Sequence, residues 1–248
     1  ANGDPYRGLQ TVVAGLLESP KFLYRIELGE EDPDNRDRRR YTSWEMASRM
    51  AFLLWNSSPD KKLLDAAARG DLVTDEGIRK QAERMWDDPR TRQAVQNFFA
   101  QYLNLSRLND VQRDSKEYPN FDDALVQSMK NEVKLLVGDL VFERNADIRK
   151  LLTTRKTFVN EDLADHYDIQ APGATSYAYV PVTFPKDGHR AGILTLGAFL
   201  TMNAHPTDTS PTLRGKYLRE RIFCQKVPDP PPNLDIELDE DEVGEDAT

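Results

Sequence analysis

Apolar residues return at helical spacing along most of this chain, and the breaks between runs carry helix-start and helix-stop residues. Leu9, Val12, Val13, Leu16 and Leu17 make the first run; Ser19-Pro20 interrupts it before Phe22, Leu23 and Ile26 resume. A charged stretch from Glu30 to Arg40 reads as a solvated loop. Thr42 and Glu45 then have capping-box spacing ahead of Met46, Ala47, Met50, Phe52, Leu53, Leu54 and Trp55, apolar almost all round. That pattern predicts a helix central to the core. Ser58-Pro59 opens a helix that Gly70 closes, Thr74 caps the next, and Asp88-Pro89 begins a long one through Phe98, Phe99 and Tyr102. Trp44, Trp55 and Trp86, at helical spacing, are expected in the core.

A polar connector follows, Ser106 to Asn120, whose Asp110, Arg113 and Asp114 read as surface charges. Asp122 or Asp123 caps a long helix with Leu125, Met129, Val133, Leu136, Val137, Leu140 and Val141 on its buried face. Asn160 caps a shorter one through Tyr167. Tyr177, Tyr179, Val180, Val182 and Phe184 predict an extended segment or small hairpin near 175–185, the one strand region in this reading. Ile193 to Met202 is an apolar helix, Lys216 to Val227 an amphipathic one, and Pro228, Pro230, Pro231 and Pro232 impose extended geometry. The expected fold is therefore mainly α: a multi-helix, bundle-like body with a small hairpin and a disordered acidic C-terminal tail. It divides into an N-terminal helical subdomain (1–120), a mostly helical C-terminal subdomain (121–233) and the tail (234–248).

Charge changes this picture in one respect. Of the formal net charge of -9, eight acids lie between Asn233 and the end with no Lys or Arg among them, which leaves a nearly neutral body. A protein that tracks phosphates needs a concentrated basic surface, so nucleic-acid binding is disfavoured. No stretch approaches the apolar length of a membrane span. One cysteine, Cys224, rules out an internal disulfide, a cysteine-rich zinc site and haem attachment through Cys-x-x-Cys-His within the chain. With three histidines, His166, His189 and His205, no resident metal or other cofactor is expected.

Polar side chains concentrate between two buried elements, in His205-Pro206-Thr207-Asp208-Thr209-Ser210-Pro211, with Arg214 one turn into the helix that Ser210-Pro211 begins. Two readings stand. His205 and Arg214 form an acid–base and anion-binding pair, or His205, Thr207 and Thr209 only brace the junction. Asp162 and His166, one turn apart, are either metal ligands or a helical ion pair.

Three segments together are similar to a known family. YTSWEMASRMAFLLWNSSPDKKLLDAAARGDL from Tyr41, with the preceding LLESPKFLYRIE, resembles the first of two adjoining bacterial domains of unknown function, the 1592 and 1588 types. TFVNEDLADHYDI and HRAGILTLGAFLTMNAHPTDTSPTLRGKYLRERIFCQKVPDPPPN resemble the second. The family has no established catalytic residues. Its motif positions here include Asn160, Glu161, His166, Tyr167, Arg190, Thr207, Thr209 and Ser210, which are candidate ligand or interface residues, together with Gly192 and Gly215, for which close packing is expected. Such pairs occur in exported proteins of planctomycetes and myxobacteria that are associated with c-type cytochrome modules. The resemblance thus implies a periplasmic or otherwise extracytoplasmic module of a larger protein, supporting or docking a redox domain, with haem c in a part of the parent protein outside this chain. Cys224 then either pairs with a cysteine in that part or is a buried thiol on the amphipathic helix. Two alternatives are a hydrolase or lyase on complex polysaccharide that uses His205 and Arg214, and a scaffold without catalysis.

Overall fold

A computed structural model describes residues 4–228; the acidic tail and Pro230 to Pro232 lie outside them. The chain forms two compact units, Ala1–Asn97 and Phe98–Thr248. The boundary drawn from sequence at 120/121 falls inside the second.

The first unit contains α1 (Pro5–Leu17), α2 (Pro20–Leu23), a hairpin of β1 (Glu30–Asp32) and β2 (Asn35–Arg40), then α3 (Ser43–Trp55), α4 (Lys61–Ala68) and α5 (Asp75–Trp86), with α6 (Pro89–Tyr102) beginning in it. Its core is Ala47, Met50, Ala51, Trp55, Leu63, Ala66, Ala67, Leu72 and Met85. The caps are local chemistry realised: Thr42 and Glu45 bond reciprocally at the start of α3, Thr74 caps α5, and Gly70 supplies the left-handed turn after α4. Asp60 rather than Ser58 caps α4, its side chain accepting from Leu63 N–H.

Three expectations are corrected in this unit. Glu30 to Arg40 is a hairpin, because opposite charges face across its strands, Arg40 to Glu30 at 2.8 Å. Glu45 anchors it to α3 by accepting the N–H groups of Leu28 and Gly29; those bonds, Gly29's foremost, pull its carboxyl down to about 2. Of the tryptophans, Trp55 is buried with its indole N–H on the Met85 carbonyl, whereas Trp44 and Trp86 are about half exposed. Finally, α3 is not buried all round: Leu53 is 79% exposed, and none of α1 is buried.

In the second unit α7 (Asp123–Gly138) is the spine. It is capped by Asp122 and packs against β3 (Lys156–Val159), α8 (Glu161–Tyr167) and α9 (Gly197–Met202). Asp139, in the π-turn that extends α7, holds both Lys156 and Arg144 at 2.6 Å. The extended segment near 175–185 does contain a strand, β4 (Val180–Thr183), but it pairs antiparallel with β3 instead of folding on itself. Strand β3 is only four residues long, with Thr157 and Val159 turned inward, too short a period-2 signal to stand out beside the helices. Ile193 to Met202 splits into a 3-10 turn and α9. Gly192 precedes that turn at φ 71°, and a Cβ there would lie 2.1 Å from the Leu152 carbonyl oxygen. The last helix, α10 (Pro211–Tyr217), continues as a π-turn to Ile222, so the amphipathic segment ends before Val227.

Candidate functional site

The junction before α10 is held by its backbone. Ser210, buried, accepts the Leu213 N–H, and Pro211 follows at the first helical position. The His205 N–H donates to the Asp208 carbonyl at 2.8 Å, and its own carbonyl accepts from Arg113. Arg113 also donates to the Thr201 carbonyl at 2.8 Å. Tyr118 donates its hydroxyl to the Thr207 carbonyl, and Asp114 its N–H to that of Pro206. Arg113 is therefore no surface charge: it is a clamp on a loop 92 positions downstream, half-buried, with burial pulling its guanidinium below the ordinary range.

The His205 ring itself is exposed, and among the described residues no hydrogen bond or ion pair joins it to another side chain. Thr207 bonds to Asp208 next to it, and Thr209 accepts from Arg214. The bracing reading fits this loop. Asn160 is likewise a latch: fully buried, it caps α8 through Leu163 N–H while its amide nitrogen lies within reach of Ser128, Asp162 and the Ser176 carbonyl. Asp162 is thereby committed to Asn160 and Ser128, while His166 packs on Tyr167 with ring centroids 5.5 Å apart. Glu161 is exposed, and its backbone N–H donates to the Thr175 carbonyl. Among the described residues no group of three His, Cys, Asp or Glu is placed to hold a metal ion.

The chemistry gathers elsewhere, on the spine helix. Glu132, fully buried on α7, accepts hydroxyl hydrogen bonds from Thr157 of β3 and Tyr167 of α8, each at 2.6 Å. The Tyr167 oxygen in turn accepts the Gly197 N–H at 2.7 Å, the first amide of α9. A Cβ at 197 would sit 3.0 Å from that oxygen, so the close approach calls for glycine. Burial pushes the Glu132 carboxyl up to about 7; the two hydroxyls and the charge of Arg190 oppose the rise without cancelling it. Burial beside Glu132 also raises Tyr167 well above its ordinary range. Sequence reading missed Glu132, yet the signal was present: 125, 129, 132 and 136 form one helical stripe, and a carboxylate on an apolar stripe needs partners.

Tyr167 also forms part of the wall of a cleft of about 600 Å³, together with Phe184, His189, Arg190, Leu200 and Arg214. The Arg190 guanidinium lies over the Tyr167 ring, 4.4 Å from its centroid, and donates to the Thr195 carbonyl at 2.8 Å. Burial and the charge of Arg190 both pull His166 below the usual imidazole range. Arg190, Tyr167 and Arg214 thus share one concavity, and His205 is not among the residues that line it. Gly215 faces open space, so close packing does not explain it, in contrast to Gly192. Cys224 is exposed at φ 52°, beyond the helical turn, and is not a buried thiol.

These are features of a mainly α chain whose two matched segments are adjacent families. Residues 41–169 match the family described as protein of unknown function (DUF1592), and residues 190–248 match that described as protein of unknown function (DUF1588). The chain belongs to the DUF1592 family, with the DUF1588 segment paired to it. No curated protein and no solved structure matches it significantly.

Proposed function

We propose that the chain is an extracytoplasmic helical module of a larger c-type-cytochrome-associated protein, and that it docks a redox domain. The observation that carries this reading is an apolar surface on the first unit. Phe22, Leu23 and Ile26 from α2 and the residues after it, with Trp44 and Phe52 of α3, line a hollow of about 730 Å³. A second hollow of about 640 Å³ is lined by Tyr24, Arg25, Phe52 and Leu53. Phe22 and Tyr24 are each more than 60% exposed.

Large aromatic and aliphatic groups gathered at the surface mark interaction sites. Redox partners associate through small interfaces, and the cations Lys21 and Arg25 at these hollows supply the polar rim that such an interface carries. The resemblance drawn from the sequence, to domain pairs associated with cytochrome modules, points the same way, while the matched families are themselves described only as of unknown function. The polysaccharide hydrolase or lyase alternative draws no support from the cleft, whose lining includes Arg214 but not His205. The test is to purify the full-length parent protein from its native host and record its visible spectrum under oxidising and reducing conditions. Haem c bands are expected, and their absence refutes the reading.

A further inference from the structure

The cleft beside α8 holds positive charge that nothing in the second unit neutralises by contact. Among the described residues neither Arg190 nor Arg214 is in a salt bridge. Arg190 spends one nitrogen on the Thr195 carbonyl and lies over the Tyr167 ring, and among the described residues its other nitrogens have no protein acceptor. Arg214 donates one terminal nitrogen to Thr209, and its Nε is out of contact with water without any acceptor. Arg214 is half-buried and lines the cleft, so its terminal nitrogens keep donors for a ligand beyond the bond to Thr209. His189 adds a third basic group, and the single acid of the lining is Asp168. Between these groups the wall is apolar: Phe184, Pro185 and Leu200.

We propose that this cleft binds a small organic acid, its carboxylate received by Arg190 and Arg214 and its ring or chain laid on Phe184, Pro185 and Leu200. The site is independent of the docking surface on the first unit. A planar carboxylate matches the paired donors of a guanidinium edge, and the volume is that of an ordinary small-molecule site. The apolar wall distinguishes this ligand from bare phosphate, which would leave it solvated.

The test is amide NMR of the whole chain at constant pH, titrated separately with phenylacetate, its uncharged analogue phenylacetamide, and inorganic phosphate. Phenylacetate is expected to move the amide signals of Gly188, Thr195 and Leu200, and to bind at least about tenfold more tightly than phenylacetamide or phosphate. Arg214→Gln, which disturbs only a bond to Thr209, is expected to weaken phenylacetate about tenfold or more. If that variant does not fold, the comparison of the three ligands on the unaltered chain decides. Unmoved signals up to about 10 mM phenylacetate overturn the proposal. So does equal binding of the amide, which removes the carboxylate from the recognition, or equal binding of phosphate, which removes the apolar wall.

Discussion

Glu132 makes stability depend on pH in a direction opposite to that of most carboxylates. Its ordinary value of 4.5 is raised to about 7 in the folded chain, chiefly by burial, with Thr157, Tyr167 and Arg190 pulling the other way. Below about pH 4.5 the group is protonated both folded and unfolded and contributes no slope. Between about 4.5 and 7 the unfolded chain has released the proton and the folded chain retains it, so stability falls as pH rises. Above about 7 both are ionised and the loss levels off at about 3 kcal/mol.

Glu132→Gln removes the titration and retains the shape. It introduces a steady penalty of about 1–3 kcal/mol, because the amide nitrogen cannot accept a hydroxyl proton and leaves Tyr167 or Thr157 without its acceptor. Urea unfolding of both proteins across this pH range measures the difference directly, since the other titrating groups cancel. The stability of the native chain relative to the variant is expected to drop by about 3 kcal/mol between pH 4.5 and 7.5. Parallel profiles would refute the assignment of a retained proton to Glu132.

Other consequences follow from single contacts. Arg113→Ala removes two bonds to the carbonyls of His205 and Thr201, and is expected to lower stability by about 2 kcal/mol and to speed amide exchange at His205. His205→Ala, by contrast, is expected within about 0.5 kcal/mol of the native chain in thermal unfolding, because the ring is exposed; Asn160→Ala, which breaks a buried latch, is expected to cost about 3 kcal/mol. The two family glycines should separate in the same assay. Gly192→Ala forces a Cβ into the Leu152 carbonyl and is expected to destabilise by about 3 kcal/mol or more, whereas Gly215→Ala meets open space inside α10 and is expected to stabilise by about 0.5–1 kcal/mol.

Helix caps are the part of this fold most legible in the sequence. Thr42, Thr74, Asp122, Asn160 and Ser210 each cap the helix that follows them, because a cap needs only its own side chain and the next few amides. Periodicity found the helices but not what each one meets. Thus α1 has a helical apolar stripe and buries none of it, and Trp44 and Trp86 are exposed although their spacing equals that of buried residues. The hairpin at 30–40 escaped because its strands are held by charges rather than by alternating apolar residues. In the second unit the hydrophilic residues that matter most are those whose partners lie far along the chain. Glu132 finds Thr157 and Tyr167 only when β3 and α8 pack on α7, and Arg113 finds the His205 loop across 92 positions. The HPTxTSP segment drew notice by its density of polar residues, but those residues mostly serve one another, and the cleft took only Arg214 from its neighbourhood.

The proposed docking surface is tested most directly by titrating the purified chain into a c-type cytochrome domain, taken from the full-length protein if that carries one, and following association by sedimentation velocity. Leu53→Asp is the disrupting variant, since Leu53 lines one of the hollows, is 79% exposed and lies outside the core of Ala47, Met50 and Trp55. The account requires a complex with the native chain that weakens at least about tenfold with the variant, as expected when a charge enters an apolar contact. Absence of a complex, or equal association by both proteins, would contradict it.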